Sequence, residues 1–217
     1  LMPFLTGIVN GLLKVMLVIT VLGMLGIEMT SFIAILGAAG LAVGLAMSGT
    51  LQNFAGGVMI LIFKPFKVGD VIDAQGYVGS VSQIQIFNTI LKTPDNKTII
   101  IPNGGLSTSS MTNYSTEPKR RVDWTIGVAY GDDLDKAREV IQRLCDADDR
   151  ILKDPAVFIA VSALADSSVN FTVRAWVNAP DYWAVFFEMN EKVYKTFGNE
   201  GLNIPFPQMD VHLHKDA

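Results

Sequence analysis

Apolar positions run almost unbroken from Phe4 to Ile27 and again from Ser31 to Phe63, and beyond Lys64 they alternate with polar ones in short segments. The first run is long enough to cross a bilayer, which takes about 20 helical residues. Glu28, Met29 and Thr30 interrupt it, and Thr30 or Ser31 is placed to cap the next helix. The second run is rich in small residues. At about 100° per residue, Gly37, Gly40 and Gly44 form one face. Ala34, Ala38 and Ala42 form a second face about 127° away, with Leu41 and Leu45 between them. Small faces let helices approach closely in a membrane. One such motif suits packing in a monomeric bundle. Two faces flanking a leucine pair suit a head-to-tail ring, glycine face against alanine face. The angle sits close to a ring of about seven and admits roughly five to ten. Leu41 and Leu45 then project towards the axis as stacked apolar constrictions, which gate by dewetting.

Ser48-Gly49 is expected to break this helix, with Gly49 as the bend. Leu51 to Phe63 then resumes as a second apolar helix suited to the membrane interface, with Asn53 near its start and Gly57 inside it. Lys64-Pro-Phe-Lys67 ends the run. Pro65 stops helix growth, and Lys64 and Lys67 put this end on the cytoplasmic side.

The remainder reads first as short strands, Val71–Ala74, Val78–Phe87, Thr89–Thr93 and Thr98–Ile101, with turns at Gln75-Gly76 and Pro94-Asp95-Asn96. Four or five strands in so few residues predict a small barrel, closed by Pro102-Asn103-Gly104-Gly105. From Glu117 the pattern changes. Val122–Tyr130, Val157–Ala165 and Val169–Val177 alternate as strands. Leu134–Cys145 and Asp181–Gly198 have helical stripes, the first capped by Asp132 or Asp133. Met209–Leu213 reads as a last short strand. That order is an α+β sandwich of the split βαβ kind. The predicted divisions are 1–28, 29–64, 65–116, 117–206 and 207–217.

Composition sharpens the division. The chain has 217 residues, half of them apolar and 18% charged, against roughly 25% in ordinary soluble domains. Up to Phe63 the only charges are Lys14 and Glu28, so the net charge of −4 belongs to the part from Lys64 onward. Lys14 reads as a snorkelling or protein-facing side chain. The stretch up to Ile27 lacks the charged leader and cleavage site of a signal peptide. The first residue is not Met, so further sequence is expected before it. One cysteine, Cys145, excludes a disulfide scaffold and fits a reducing compartment.

Candidate chemistry is sparse. His212 and His214 lack a nearby cysteine partner for a metal. Cys145 lies near the buried stripe of a helix and reads as core. Asp146, Asp148 and Asp149 read as a solvated helix end rather than a calcium loop. Lys119-Arg120-Arg121 stands in acidic surroundings, which argues against nucleic acid. No P-loop, GxSxG or HExxH motif is present. The reading is a non-enzyme with no cofactor and no metal.

Four segments in order carry a family resemblance: Ala34 to Gly57, Phe63-Lys-Pro-Phe-Lys-Val-Gly-Asp70, Ile99-Ile-Ile-Pro-Asn-Gly104, and Pro205-Phe-Pro-Gln-Met-Asp-Val211. They resemble the small-conductance mechanosensitive (MscS) channels over nearly the whole chain. The resemblance implies a homoheptamer of the bacterial inner membrane with a cytoplasmic C-terminal domain. It implies an Sm-like small β-barrel, a split βαβ (ferredoxin-like) domain, and a C-terminal strand joining an oligomeric β-barrel. It assigns the helix interlock to Ala34, Gly37, Ala38, Gly40, Ala42 and Gly44, and the pore seal to Leu41 and Leu45. Gly49 and Gly57 become bends, and Asn53, Phe63, Lys64 and Lys67 mark the membrane–cytoplasm interface. Partners would be membrane lipids, other copies of the chain, and permeating ions and small osmolytes released on hypoosmotic shock. Two features depart from the pattern. Family members have at least three membrane helices, so the tension-sensing paddle is expected to be incomplete here. Many relatives carry Gln where this chain has Ser48. The rival readings are a channel of this type gated mainly by a ligand or ion, and a non-channel membrane adaptor.

Overall fold

A computed structural model describes residues 2–26 and 28–212. Two helices lead the chain, α1 (Met2–Met24) and α2 (Thr30–Phe63). At 1.5 Å per residue, the 34 residues of α2 extend about 51 Å. The expected break at Ser48-Gly49 is absent, because α2 is helical throughout. A glycine weakens a helix by only about 1 kcal/mol and leaves its backbone bonds intact, so good helix formers on both sides carry the helix across it. The expected cap at Thr30 or Ser31 is also absent. Met29 holds the N-cap position with no side-chain bond. At the other end Lys64 takes a left-handed φ of 48° and its N–H bonds to Ile60 O at 2.9 Å. This C-cap arises because Pro65 cannot continue the helix.

Five short strands follow: β1 (Val71–Ala74), β2 (Tyr77–Ile84), β3 (Asn88–Lys92), β4 (Thr98–Pro102) and β5 (Met111–Asn113). They pair in the order β4-β3-β2-β1-β5. The β1–β2 turn is Gln75-Gly76, both residues at positive φ, as a tight hairpin requires. The expected closing turn at Pro102-Asn103-Gly104-Gly105 is instead the start of a short helix, α3 (Asn103–Thr108).

Three further strands form a separate sheet, β6 (Lys119–Val128), β7 (Phe158–Leu164) and β8 (Val169–Asn178), in the order β6-β8-β7. Between β6 and β7 the chain forms α4 (Leu134–Asp146), and after β8 it forms α5 (Tyr182–Asn199). β8 lies between the two strands that α4 connects, which is the split βαβ arrangement. Asp133 caps α4, its carboxylate accepting from the Asp135 and Lys136 N–H groups. One face of the sheet (Val122, Val128, Phe171, Val173) and the inner stripes of α4 (Val140, Ile141) and α5 (Val185, Met189) make a closed apolar core.

Residues Met209 to His212 are in no strand, and Leu213 lies outside the described residues. A strand exists only through a ladder with a neighbour, and the single chain supplies none to this segment. The chain divides into two compact units, Leu1–Gly69 with Ala74–Met111, and Asp70–Asp73 with Thr112–Ala217.

Candidate pore and coupling site

The first part of α2, from Thr30 to Gln52, has every residue exposed in the single chain. Leu41 and Leu45 are each 66% exposed. A methyl group built on Gly37, Gly40, Gly44 or Gly49 meets nothing within 4 Å. Ala34, Ala38 and Ala42 are exposed as well. A long uncharged helix with no buried side chain over this stretch is unstable in water and suited to lipid or to other copies of itself. α1 is exposed along most of its length in the same way.

Packing begins at Asn53. Gly56, Gly57 and Ile60 are buried and Asn53 is half-buried, a spacing that puts all four on one side of the helix. That side grips α3 and the β2–β3 turn. The centre of the grip is Asn103, fully buried and fully bonded. Its N–H donates to Phe87 O at 2.9 Å. Its Oδ1 accepts from Thr89 Oγ1 at 2.8 Å, and its Nδ2 donates to the carbonyls of Gln85 at 2.8 Å and Ile86 at 3.2 Å. The next residue closes the clasp, Gly104 N–H donating to Asn53 Oδ1 at 2.9 Å. Helix and turn can meet this closely only because three glycines face the contact. A methyl on Gly56 would stand 2.5 Å from Asn103 O, one on Gly57 2.4 Å from Ile86 O, and one on Gly104 2.9 Å from Asn53 Oδ1. The ring of Phe54 lies 6.4 Å from that of Phe87.

Gly57 is therefore not a break in the helix but a point of close contact, because the space a side chain would occupy is filled by the backbone of the β2–β3 turn. Asn53, expected at the membrane–cytoplasm interface, is the acceptor of the clasp. Phe63 is 70% exposed, Lys64 caps the helix, and Phe66 just beyond is buried. The sequence marks Asn103 and Gly104 only as part of a closing turn, and it gives Gly56 no role of its own. The available signal was the Gly56-Gly57 pair, which inside an apolar helix marks a close approach.

The second unit shows no comparable convergence. Asp148 was expected at a solvated helix end. Instead its side chain is 5% exposed and bonds Arg150 Nη2 at 2.7 Å and Lys192 Nζ at 3.0 Å. The Arg150 hydrogen bond, with further help from Lys192, holds its carboxyl well below the ordinary carboxylate range. Arg150 also reaches Glu188 at 2.6 Å, tying the end of α4 to α5. Burial is the main cause that pushes the Cys145 thiol up to about 12, which places this residue in the core. The basic cluster is engaged within the chain. Arg120 stacks 3.8 Å from the Tyr182 ring centroid, and Arg121 makes a two-pronged bond to Asp123 at 2.7 and 2.9 Å. Among the described residues no group of His, Cys, Asp and Glu is arranged to hold a metal, and His214 lies outside them.

A pair of membrane-length apolar helices, the second clasped to a five-stranded β-domain and followed by a split βαβ unit, defines an integral membrane protein with a large domain outside the bilayer. Family models match it in chain order: the transmembrane helices 2/3 of mechanosensitive ion channels at residues 7–48, their beta-domain at 49–116, and the MscS C-terminal region at 122–204. A small-conductance mechanosensitive channel of Edwardsiella ictaluri is 48% identical over 178 residues, 82% of this chain and 62% of the relative. An MscS family protein of Buchnera aphidicola from Schizaphis graminum is 40% identical over 212 residues, 98% of this chain and 75% of the relative. The crystal structure of Helicobacter pylori MscS in its closed state superimposes with a TM-score of 0.88 at 32% identity, covering 99% of this chain and 85% of that one. The chain belongs to the MscS family of mechanosensitive channels, and it spans 62% of the length of the Edwardsiella channel.

Proposed function

We propose that the full protein is a tension-gated channel of the bacterial inner membrane. It is a homoheptamer with its C-terminal part in the cytoplasm, and it releases ions and small osmolytes on hypoosmotic shock. The observation that carries this reading is the division of α2. Its upper stretch is uncharged, exposed and two-faced, and its lower stretch is clasped to the β-domain at Asn53, Gly56 and Gly57. In the ring, the glycine and alanine faces of neighbouring copies interlock, and Leu41 and Leu45 close the axis with two apolar collars that exclude water. Tension favours whichever state occupies more membrane area, so it shifts the equilibrium towards the wider open ring. The clasp holds the lower part of α2 with the β-domain while the upper part tilts. Gly49 lies one helical turn above Asn53, so tilting concentrates there, where a missing side chain lowers the cost of bending. Residues Met209 to His212 pair with their counterparts in other copies, which supplies the ladder that a single chain lacks.

The test uses bacteria lacking their own mechanosensitive channels. The full-length protein should restore survival of a sudden drop in osmolarity. Leu45→Ser should wet the seal, leak potassium and slow growth. Normal growth with an unchanged opening threshold counts against Leu45 as the gate, and absent rescue by an assembled, membrane-inserted protein counts against the function.

A further inference from the structure

No charged residue occurs anywhere in α2, Thr30–Phe63. An ion crossing a pore built from this helix meets protein charge only at its ends. The cytoplasmic end carries Lys64 and Lys67. The outer end carries Glu28, the one acidic residue before Asp70. Glu28 is exposed, sits two positions before the first residue of α2, and takes part in no ion pair among the described residues. Lys14, the only other charge up to Phe63, lies in the body of α1, about 15 Å of helical rise from its last residue.

Resting on the ring-channel reading, we infer that Glu28 sets the ion preference of the outer mouth, drawing cations towards it. The sign follows from comparing two charges at the same place. Each α2 N-terminus brings about half a positive charge, so seven converging helices alone would make the mouth about +3.5 and attract anions. Seven carboxylates reverse this to about −3.5. Neighbouring helices pack about 8–10 Å apart, close to one Debye length, so the fields of adjacent carboxylates overlap into a ring. An acid in this position also favours the helix dipole. That role alone leaves ion preference untouched when the charge is removed, which separates the two.

The experiment records stretch-activated currents from the full-length protein in liposomes, with unequal KCl on the two sides. Reversal potentials are compared for the unsubstituted protein, Glu28→Asp, Glu28→Gln and Glu28→Lys. The aspartate variant should match the unsubstituted protein. The glutamine variant should lower the potassium-to-chloride permeability ratio by at least about twofold, a modest effect beside the enrichments that charged clefts reach. The lysine variant should lower it further. The differences should shrink near 1 M salt, where the Debye length is about 3 Å. Equal reversal potentials for all four proteins overturn the assignment of Glu28 alone. Absence of any tension-dependent current from the unsubstituted protein overturns both this inference and the channel reading beneath it.

Discussion

Replacing Gly57 with alanine probes the clasp at its tightest point. The added methyl would lie 2.4 Å from Ile86 O and 2.7 Å from Asn103 Nδ2, while ordinary contact begins near 3.4 Å. One partner is turn backbone and the other is an amide held by two carbonyls, so neither swings aside. The helix and the β2–β3 turn must separate by about 1 Å, an overpacking strain of about 1–3 kcal/mol. Separation also stretches the Asn103 bonds to Gln85 and Ile86, each contributing about 0.5–1.5 kcal/mol. Alanine's preference for helix returns up to about 1 kcal/mol. The net loss is about 1–3 kcal/mol, or roughly 5- to 150-fold in the local opening equilibrium. Amide hydrogen exchange on the full-length protein in liposomes reads this directly, because local opening controls exchange. The Asn103 and Gly104 amides bond Phe87 O and Asn53 Oδ1, each at 2.9 Å, and should exchange faster by that factor in Gly57→Ala. Gly198, helical and with nothing within 4 Å of an added methyl, is the control, and Gly198→Ala should leave them unchanged. Unaltered exchange at Asn103 and Gly104 in Gly57→Ala would refute the close-contact reasoning.

Asn53→Ala leaves the Gly104 N–H without its partner. It should weaken the clasp by about 1–3 kcal/mol and shift the tension threshold or closing rate in patch recordings. Asp148→Asn removes the acceptor shared by Arg150 and Lys192 and should lower the thermal midpoint of the full chain, by an amount equivalent to about 1–3 kcal/mol. Its pH dependence has a definite sign. The folded carboxyl titrates below its unfolded value of about 3.9, so its stabilisation is present above that value and is lost as pH falls through the folded one. Asp148→Asn should therefore lose that component of the acid destabilisation below about pH 4. Cys145, with its thiol raised to about 12, should resist alkylation at pH 8 in the folded protein and react promptly after unfolding. Rapid labelling of the native protein would count against its burial.

Long periodic segments were legible because one physical pattern decides them. The apolar runs of α1 and α2, the stripe and Asp133 cap of α4, and the alternation of β6 and β8 all follow from burying one face or sitting in lipid. The clasp was not. Asn103 looks like a turn residue, and its worth lies in carbonyls 17 and 18 positions upstream, which no local pattern encodes. Gly49 looked like a break because glycine is a poor helix former, yet the helix continues through it. Asp148 looked solvated because its neighbours are acidic. Its partner Lys192 stands 44 positions away, and only folding brings the two together.

The proposed function requires that tension open a pore through a ring of these chains. The direct measurement is patch-clamp recording from the full-length protein, purified into liposomes, under graded suction. Stepwise conductance whose open fraction rises with suction is expected, with a lowered or absent threshold in Leu45→Ser. Silence up to patch rupture, with heptamers confirmed in the same membranes, would contradict it.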